Sequence, residues 1–449
     1  MASTASDRAE RGRRMLAWLL GLDIIAGPAP WVLWGITAAL IVVLLVRRYT
    51  GRRALRALLA VVIGGLLGLA LSWTLDAIDA FGTPLPDPVK WWAAGCFASV
   101  GVGIVSLWES RAPRKIVAVL TIVASLLSGT IGINAAFGLD RNLGDLLEIS
   151  TLQPVGELPK PVHTAAAAAD APLYTTWHAP AGMPAHGEVR QLSDASRIPS
   201  TAGFVPRDAA IYLPPAALVA DPPVLPVMVQ MMGLPGNPTP TAIQTAVDAF
   251  AAKHDGLGPI VIVADQLGSS RQNPGCADSK AFGGVNTYFN VDIPEWIRTH
   301  LRVPAAPAGW TISGYSNGGA CSFLYGAQHP EIWGSLASQS GEEWPGWERP
   351  APVLSKVFGG SRAAFDANKP ENVLAAHPGA YQGRVAVFTA GAVDHIYGPP
   401  ARHAADLARA AGFTTTFFSI AGAGHVGPAL SVGLDETLRV LAPVWGLAP

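Results

Sequence analysis

Ser316 lies in Gly314-Tyr315-Ser316-Asn317-Gly318, a G-x-S-x-G pattern. The residues before it, Trp310 to Gly314, read as a strand, and Gly319 to Tyr325 read as a helix leaving the turn. A serine on so tight a strand-to-helix turn carries its hydroxyl at a helix N-terminus. Free N–H groups and the helix dipole there favour developing negative charge. Glycines on both sides let strand and helix approach around a strained nucleophile. The chemistry this suits is attack by a hydroxyl on a carbonyl, and that needs a base and a group to hold the base in one tautomer.

Both partners should follow the serine in the order acid, then histidine. The apolar run Arg384–Thr389 leads into Ala390-Gly391-Ala392-Val393-Asp394-His395, which supplies Asp394. The next apolar run, Thr414–Ile420, ends in Ala421-Gly422-Ala423-Gly424-His425, a loop of small residues that presents His425. A loop Asp is usually a turn former and a loop His usually just solvated; their joint order after Ser316 is what selects them. His395, adjacent to the acid, is the rival base. An oxyanion formed by the attack needs two N–H donors. The candidates are Asn317, next to the serine, and Leu234 in the loop Met232-Gly233-Leu234-Pro235-Gly236; the bland reading of that loop is an ordinary turn.

These residues must be held by a sheet. From about Gly187 onward, short apolar runs (Ala209–Leu213, Val224–Met231, Pro259–Ala264, Gly309–Ile312, Gly334–Ser338, Arg384–Thr389 and Thr414–Ile420) alternate with helical segments. The helical segments are Ala242–Lys253, Asn290–His300, Gly318–His329 and Pro400–Ala411. Such alternation predicts an α/β domain with a mainly parallel sheet, its earliest strands forming an antiparallel edge. Each candidate site loop then falls at the C-terminal edge of the strands, where open α/β folds bind ligands.

Charge is scarce elsewhere. Only 14% of residues are charged while half are hydrophobic, so part of the chain should sit in lipid. The net charge of −1 and the lack of a basic stripe give no reason to expect nucleic acid. Four apolar stretches, Pro30–Val46, Ala57–Trp73, Trp91–Leu107 and Ile116–Ala136, are each long enough to span a bilayer core of about 30 Å. Met15–Ala26, broken by Asp23 and Pro28, is too short to span and reads as interfacial or re-entrant.

The first turn carries Arg47, Arg48, Arg52 and Arg53, with Arg56 beyond, and the third carries Arg111, Arg114 and Lys115 against Glu109. The second has Asp76, Asp79 and Asp87 against Lys90. The positive-inside rule places turns one and three in the cytoplasm and everything after Ala136 outside. Arg8, Arg11, Arg13 and Arg14, partly offset by Asp7 and Glu10, oppose this. Trp31, Trp34, Trp73, Trp91, Trp92 and Trp108 fall near span ends, where indole rings favour the headgroup layer. Gly64, Gly68, Gly95, Ser99 and Gly103 are spaced for close helix packing. No span carries an ionisable residue at its centre, so the bundle reads as an anchor. The expected order is a tail with an interfacial segment (1–28), a transmembrane anchor (29–137), a linker rich in Pro and Ala that includes Ala165–Ala169 (138–186), and a catalytic domain (187–449).

The domain resembles the esterase branch of the α/β-hydrolases that includes esterase D and the antigen 85 mycolyltransferases. The resemblance rests on Ala210-Ile211-Tyr212-Leu213-Pro214-Pro215, the Met232–Gly236 loop, the stretch Asn286–Trp296, the elbow and the His425 loop. It implies a serine esterase or acyltransferase with no metal or organic cofactor. Two departures matter: the elbow reads S-N-G-G, less bulky than in the mycolyltransferases, and the acid is Asp394 where those enzymes carry Glu.

Two weaker signals remain. Cys276, in a loop that begins at Gly268, and Cys321, behind the elbow, are either a disulfide suited to an oxidising exterior or two unpaired core residues. Glu342 and Glu343 follow the Gly334–Ser338 run and are either a solvated rim or a receiver for a substrate ammonium group, as in an aminoacyl phospholipid. The overall expectation is an α-helical transmembrane bundle followed by an α/β-hydrolase domain that acts on lipid or cell-envelope esters. An acyltransferase with the same triad, and a non-catalytic membrane scaffold that keeps the fold only to bind, are the alternatives; the oligomeric state is open.

Overall fold

The structure is a computed structural model that describes residues 11–449 apart from 13, 14, 17, 47–49, 79, 82, 83, 109, 139, 148, 157, 159–170 and 271. Arg8, Arg13, Arg14, Asp7, Glu10, Arg47, Arg48, Asp79, Glu109 and the Ala165–Ala169 run therefore lie outside the described residues. The chain divides into two compact units, Met1–Thr151 and Leu152–Pro449. The division falls inside the segment expected as a linker.

Among the described residues of the first unit, four helices are long and apolar enough to cross a membrane: α1 (Pro28–Leu45), α2 (Gly51–Ala77), α3 (Asp87–Ser106) and α4 (Ala112–Phe137). Their outward faces expose Val42, Leu58, Ile63, Leu66, Leu120, Val123 and Leu127, a surface that water would penalise and lipid would not. The contacts between helices are small and polar. A Cβ on Gly64 would come within 2.4 Å of Phe97 O, and one on Gly68 within 2.5 Å of Ala93 O, so α2 and α3 touch backbone to backbone. Gly95 has open space around its Cβ position, so it does not serve the contact. Thr37 on α1 and Ser128 on α4 share a hydrogen bond of 2.8 Å. Arg114 at the start of α4 donates to the carbonyl of Leu44 at the end of α1, which brings these two ends together. Trp31, Trp73, Trp91 and Trp108 are exposed near helix ends, but Trp34 and Trp92 stack on each other at 5.1 Å. Those two rings serve packing between α1 and α3 as well as any role at a headgroup layer.

The second unit is built on an eight-stranded sheet of order β1-β2-β4-β3-β5-β6-β7-β8. The strands are β1 (Glu188–Leu192), β2 (Ala209–Leu213), β3 (Val227–Met231), β4 (Ile260–Ala264), β5 (Trp310–Tyr315), β6 (Ser335–Gln339), β7 (Val385–Gly391) and β8 (Thr414–Ile420). At one edge β2 runs antiparallel to both of its neighbours, β1 and β4, and all other neighbouring pairs are parallel. Strands such as Ile260-Val261-Ile262-Val263-Ala264 are buried along their whole length, as a parallel sheet covered on both faces requires. The principal helices are α5 (Thr241–Ala251), α6 (Ile293–His300), α7 (Asn317–Gln328), α8 (Gly398–Ala411) and α9 (Pro428–Val444).

Consecutive side chains of a strand point to opposite faces. Ser338 of β6 lies against Gly319 of α7, while Gln339 donates to Thr437 of α9 at 3.0 Å, so α7 and α9 cover opposite faces. Among the elements not anticipated from the sequence, along with short helices between residues 350 and 376, are β1 and α9. β1 is an outer strand with three polar residues among five, covered along its free edge by backbone bonds between Gln191 and residues 153–155. α9 follows directly on the His425 loop.

Cys276 and Cys321 are disulfide-bonded with Cα atoms 5.5 Å apart, tying the 265–277 segment to α7 behind the elbow. Replacing both with Ala should lower the unfolding free energy by about 3 kcal/mol. The check is the thermal midpoint of the purified chain with and without reductant: it should fall on reduction, and an unchanged midpoint would show that the bridge carries no stability.

Candidate active site

The parallel strands end at one edge, and the segments that follow them carry Gly233, Leu234, Ser316, Glu342, Asp394 and His425. β5 delivers Ser316, which takes φ 54° and ψ −119° before α7 begins. That is a costly backbone region for a residue with a side chain. The turn survives because it is packed from all sides. A Cβ on Gly314 would come within 2.0 Å of Gly318 O, and one on Gly318 within 2.7 Å of Met231 Cβ, so both positions need a residue without one. Ser316 N–H donates to Gln339 O at 2.8 Å and Ser316 O accepts from Gly319 and Ala320.

Ser316 Oγ stands 2.9 Å from His425 Nε2, and His425 Nδ1 stands 3.1 Å from Asp394 Oδ2. The other oxygen, Oδ1, accepts the backbone N–H groups of Ile396 (3.1 Å) and Tyr397 (2.9 Å), which leaves Oδ2 for the imidazole. A carboxylate held this way only accepts, so Nδ1 carries the ring proton and Nε2 is free to take one from Ser316. Burial pushes the Tyr315 phenol's pKa up, keeping it a donor, and it bonds to His425 O at 2.5 Å. His395 is exposed beside this line, so the structure brings His425 rather than the rival base to Ser316.

The Met232–Gly236 loop follows β3 and lies against the nucleophile: a Cβ on Gly233 would sit 3.3 Å from Ser316 Cβ. Leu234 beside it is nearly buried. Two groups that the sequence reading missed hold this loop. Gln266 donates to Met232 O (2.6 Å) and to Asn317 Oδ1 (3.3 Å), joining the loop to the elbow. Arg207 clamps Asp265 through Nε (3.0 Å) and Nη2 (2.7 Å), while its Nη1 donates to Gly236 O (2.9 Å) and Asn237 Oδ1. Asp265 is itself buried and also accepts from the N–H groups of Arg207, Leu267 and Gly268. An Arg and an Asp more than fifty residues apart carry no local pattern that would have revealed them.

Glu342 and Glu343 separate in role. Glu342 is buried, accepts from Trp347 N–H at 3.1 Å and lies beside the Asn317 amide, whose Nδ2 makes no well-aligned hydrogen bond. Burial, with the nearby charge of Glu348, pushes its carboxyl well above the usual range. A carboxyl so enclosed is not presented to a substrate ammonium group. Glu343 is partly exposed, and burial raises its pKa too. Among the described residues, no group of three or more His, Cys, Asp and Glu side chains is disposed to hold a metal ion.

Because Arg207 fixes the far side of the Gly233–Leu234 turn, Arg207→Ala should lower kcat/KM for an ester about a hundredfold. Arg207→Lys should recover little of this, since one ammonium cannot replace the fork. Steady-state kinetics checks it, and wild-type kcat/KM in Arg207→Ala would show that the loop holds without the clamp.

The sequence profile of the family described as "Putative esterase" matches residues 205–371, which include Gly233 and Ser316. An uncharacterised protein of Corynebacterium glutamicum is 33% identical over 410 residues, covering 86% of this chain and 90% of that one. That share exceeds the C-terminal unit, so the likeness extends into the helical unit. Among solved structures, an S-formylglutathione hydrolase from Agrobacterium tumefaciens matches with a TM-score of 0.48 and 19% identity, covering 58% of this chain and 97% of that one. A ferulic acid esterase matches with 0.45 and 16%, covering 57% and 98%. A fluorophosphonate-binding serine hydrolase of Staphylococcus aureus, FphF, matches with 0.43 and 14%, covering 59% and 100%. Through its C-terminal α/β-hydrolase domain, the chain belongs to this esterase family.

Proposed function

We propose that the C-terminal unit is a serine esterase acting on lipid or cell-envelope esters through an acyl-serine intermediate, held at a membrane by α1–α4. The observation that carries the reading is the hydrogen-bonded line Ser316–His425–Asp394 at the end of β5, β7 and β8. As Ser316 Oγ attacks the ester carbonyl, its proton passes to His425 Nε2, and the Asp394 carboxylate stabilises the imidazolium that forms. The oxyanion is met by the N–H groups of Asn317 and Leu234. When the tetrahedral species collapses, the C–O bond to the alcohol breaks and His425 returns the proton to the leaving oxygen. Water then repeats the sequence on the acyl-serine, releasing the acid and restoring Ser316.

The lipid class rests on the surroundings of the triad. Val393, Ile396 and Val426 are exposed on the two loops that carry Asp394 and His425. Those loops, 392–399 and 421–428, are bonded to each other through Val393 N–H and Ala423 O at 3.0 Å. Between them they hold no Lys, Arg or Glu, and their one Asp is the buried acid. An exposed aliphatic rim without charge favours an acyl chain over a polar substrate. The extracytoplasmic placement rests on Arg52, Arg53, Arg56, Arg111, Arg114 and Lys115 in the first and third turns against Asp76 and Asp87 in the second. The Cys276–Cys321 bridge suits an oxidising exterior.

A fluorophosphonate probe applied to membranes that contain the full chain tests the reading. Wild type should label and Ser316→Ala should not. Failure of wild type to label, or equal labelling of the variant, would remove the enzyme reading.

A further inference from the structure

We infer that Tyr397 and Glu348 form a positioning pair for the base: the Tyr397 ring covers the His425 imidazole while the Glu348 carboxylate anchors its hydroxyl. The inference rests on His425 being the base proposed above. The two rings stack with centroids 3.7 Å apart and planes 26° from parallel, and Tyr397 Oη donates to Glu348 Oε1. Tyr397 therefore serves the triad twice. Its backbone N–H holds Asp394 Oδ1, and its ring lies on the imidazole that Asp394 orients.

The ring is more than a cover. A phenol that donates to a carboxylate becomes electron-rich, and its π-face attracts a cation lying on it. His425 is a cation only after it has taken the proton from Ser316, so the attraction grows toward the transition state. The carboxylate behind the ring adds charge of the same sense. The carboxyls of Glu342 and Glu348 are close enough that one disfavours ionisation of the other, and Glu342 is the fully buried member. Burial disfavours the charged form of Glu342, and Glu348, partly exposed, accepts from the phenol. The loop after β6 thus reaches the elbow through Glu342 beside Asn317 and the base through Glu348.

The ionisable groups that meet His425 are Asp394 on the β7 loop, Tyr315 at the end of β5 and Tyr397 at the start of α8, with Glu348 of the β6 loop bonded to Tyr397. Removing the negative charge of Glu348 should make the imidazolium easier to deprotonate.

Two measurements on the full chain in detergent test this. In p-nitrophenyl butyrate hydrolysis, Tyr397→Phe and Glu348→Gln should each lower kcat about tenfold with KM unchanged. The double variant should be no slower than Glu348→Gln alone. The acid limb of kcat/KM in Glu348→Gln should also move to lower pH. In parallel, the His425 ring titration is followed by 15N NMR of histidine-labelled protein, assigned by its loss in His425→Gln, and should move the same way. A wild type that hydrolyses no ester, yet whose His425 titration shifts in Glu348→Gln, would defeat the esterase reading and leave the pair standing. Ester turnover with unchanged kcat and unmoved titration in both variants would overturn the pair and leave the esterase reading intact. A loss of kcat with no shift of either limb or titration would mean mere loosening of the loop and would also overturn it.

Discussion

Ser316 can hold φ 54° only while two backbones stay in contact beneath it. The space under the turn is taken by Gly318 O, by Met231 and by the β6 carbonyl of Gln339. A single methyl at Gly314 or Gly318 would push strand and helix apart, and the turn would relax. Everything else in the domain can be traced to that packing. The sheet must be parallel at β3, β5 and β6 for the three segments to end at one level, and the helices must cover both faces for such apolar strands to be buried. The disulfide ties the 265–277 segment to the helix that begins at the elbow. Backbone strain is kept because the surroundings over-determine it.

Around that fixed point the site is assembled by hydrogen bonds and ring contacts from several parts of the chain. Arg207 and Asp265 hold the Gly233–Leu234 loop, Gln266 joins that loop to Asn317, and Tyr397 joins acid to base. None of these groups transfers a proton in the scheme proposed here. They restrict the loops so that the oxyanion donors and the imidazole need not be ordered during the reaction, which is where preorganised sites gain over water. The helical unit follows a different logic. Its helices touch through glycine and through hydroxyl pairs such as Thr37 and Ser128, and they present aliphatic side chains outward, an arrangement suited to a solvent that makes no hydrogen bonds.

Much of this was legible in the residues because the signals are local. G-x-S-x-G between a strand and a helix, an Asp after one apolar run and a His after the next are each confined to a dozen residues. Four long apolar stretches need no tertiary knowledge either. What stayed hidden depends on side chains meeting across the fold. Tyr397 is three residues from Asp394, yet nothing in its neighbours says that its ring turns onto His425. Glu342 and Glu343 look alike in sequence, and only the path of the chain after β6 buries one and leaves the other partly exposed. Trp34 and Trp92 have the spacing of interfacial rings, but α1 and α3 pass closely enough for them to stack. β1 escaped notice because an outer strand with one face toward solvent keeps polar residues.

The central claim is that Ser316 carries the acyl group during turnover. Rapid-quench mass spectrometry of the full chain mixed with p-nitrophenyl butyrate addresses it directly, by following the peptide that contains Ser316 from the first milliseconds. The account predicts that this peptide gains a butyryl group at Ser316 during the first turnover, in step with release of p-nitrophenol, and loses it once the ester is exhausted. Product accumulating with Ser316 unmodified at every time point, or the acyl group found on another residue, would contradict it.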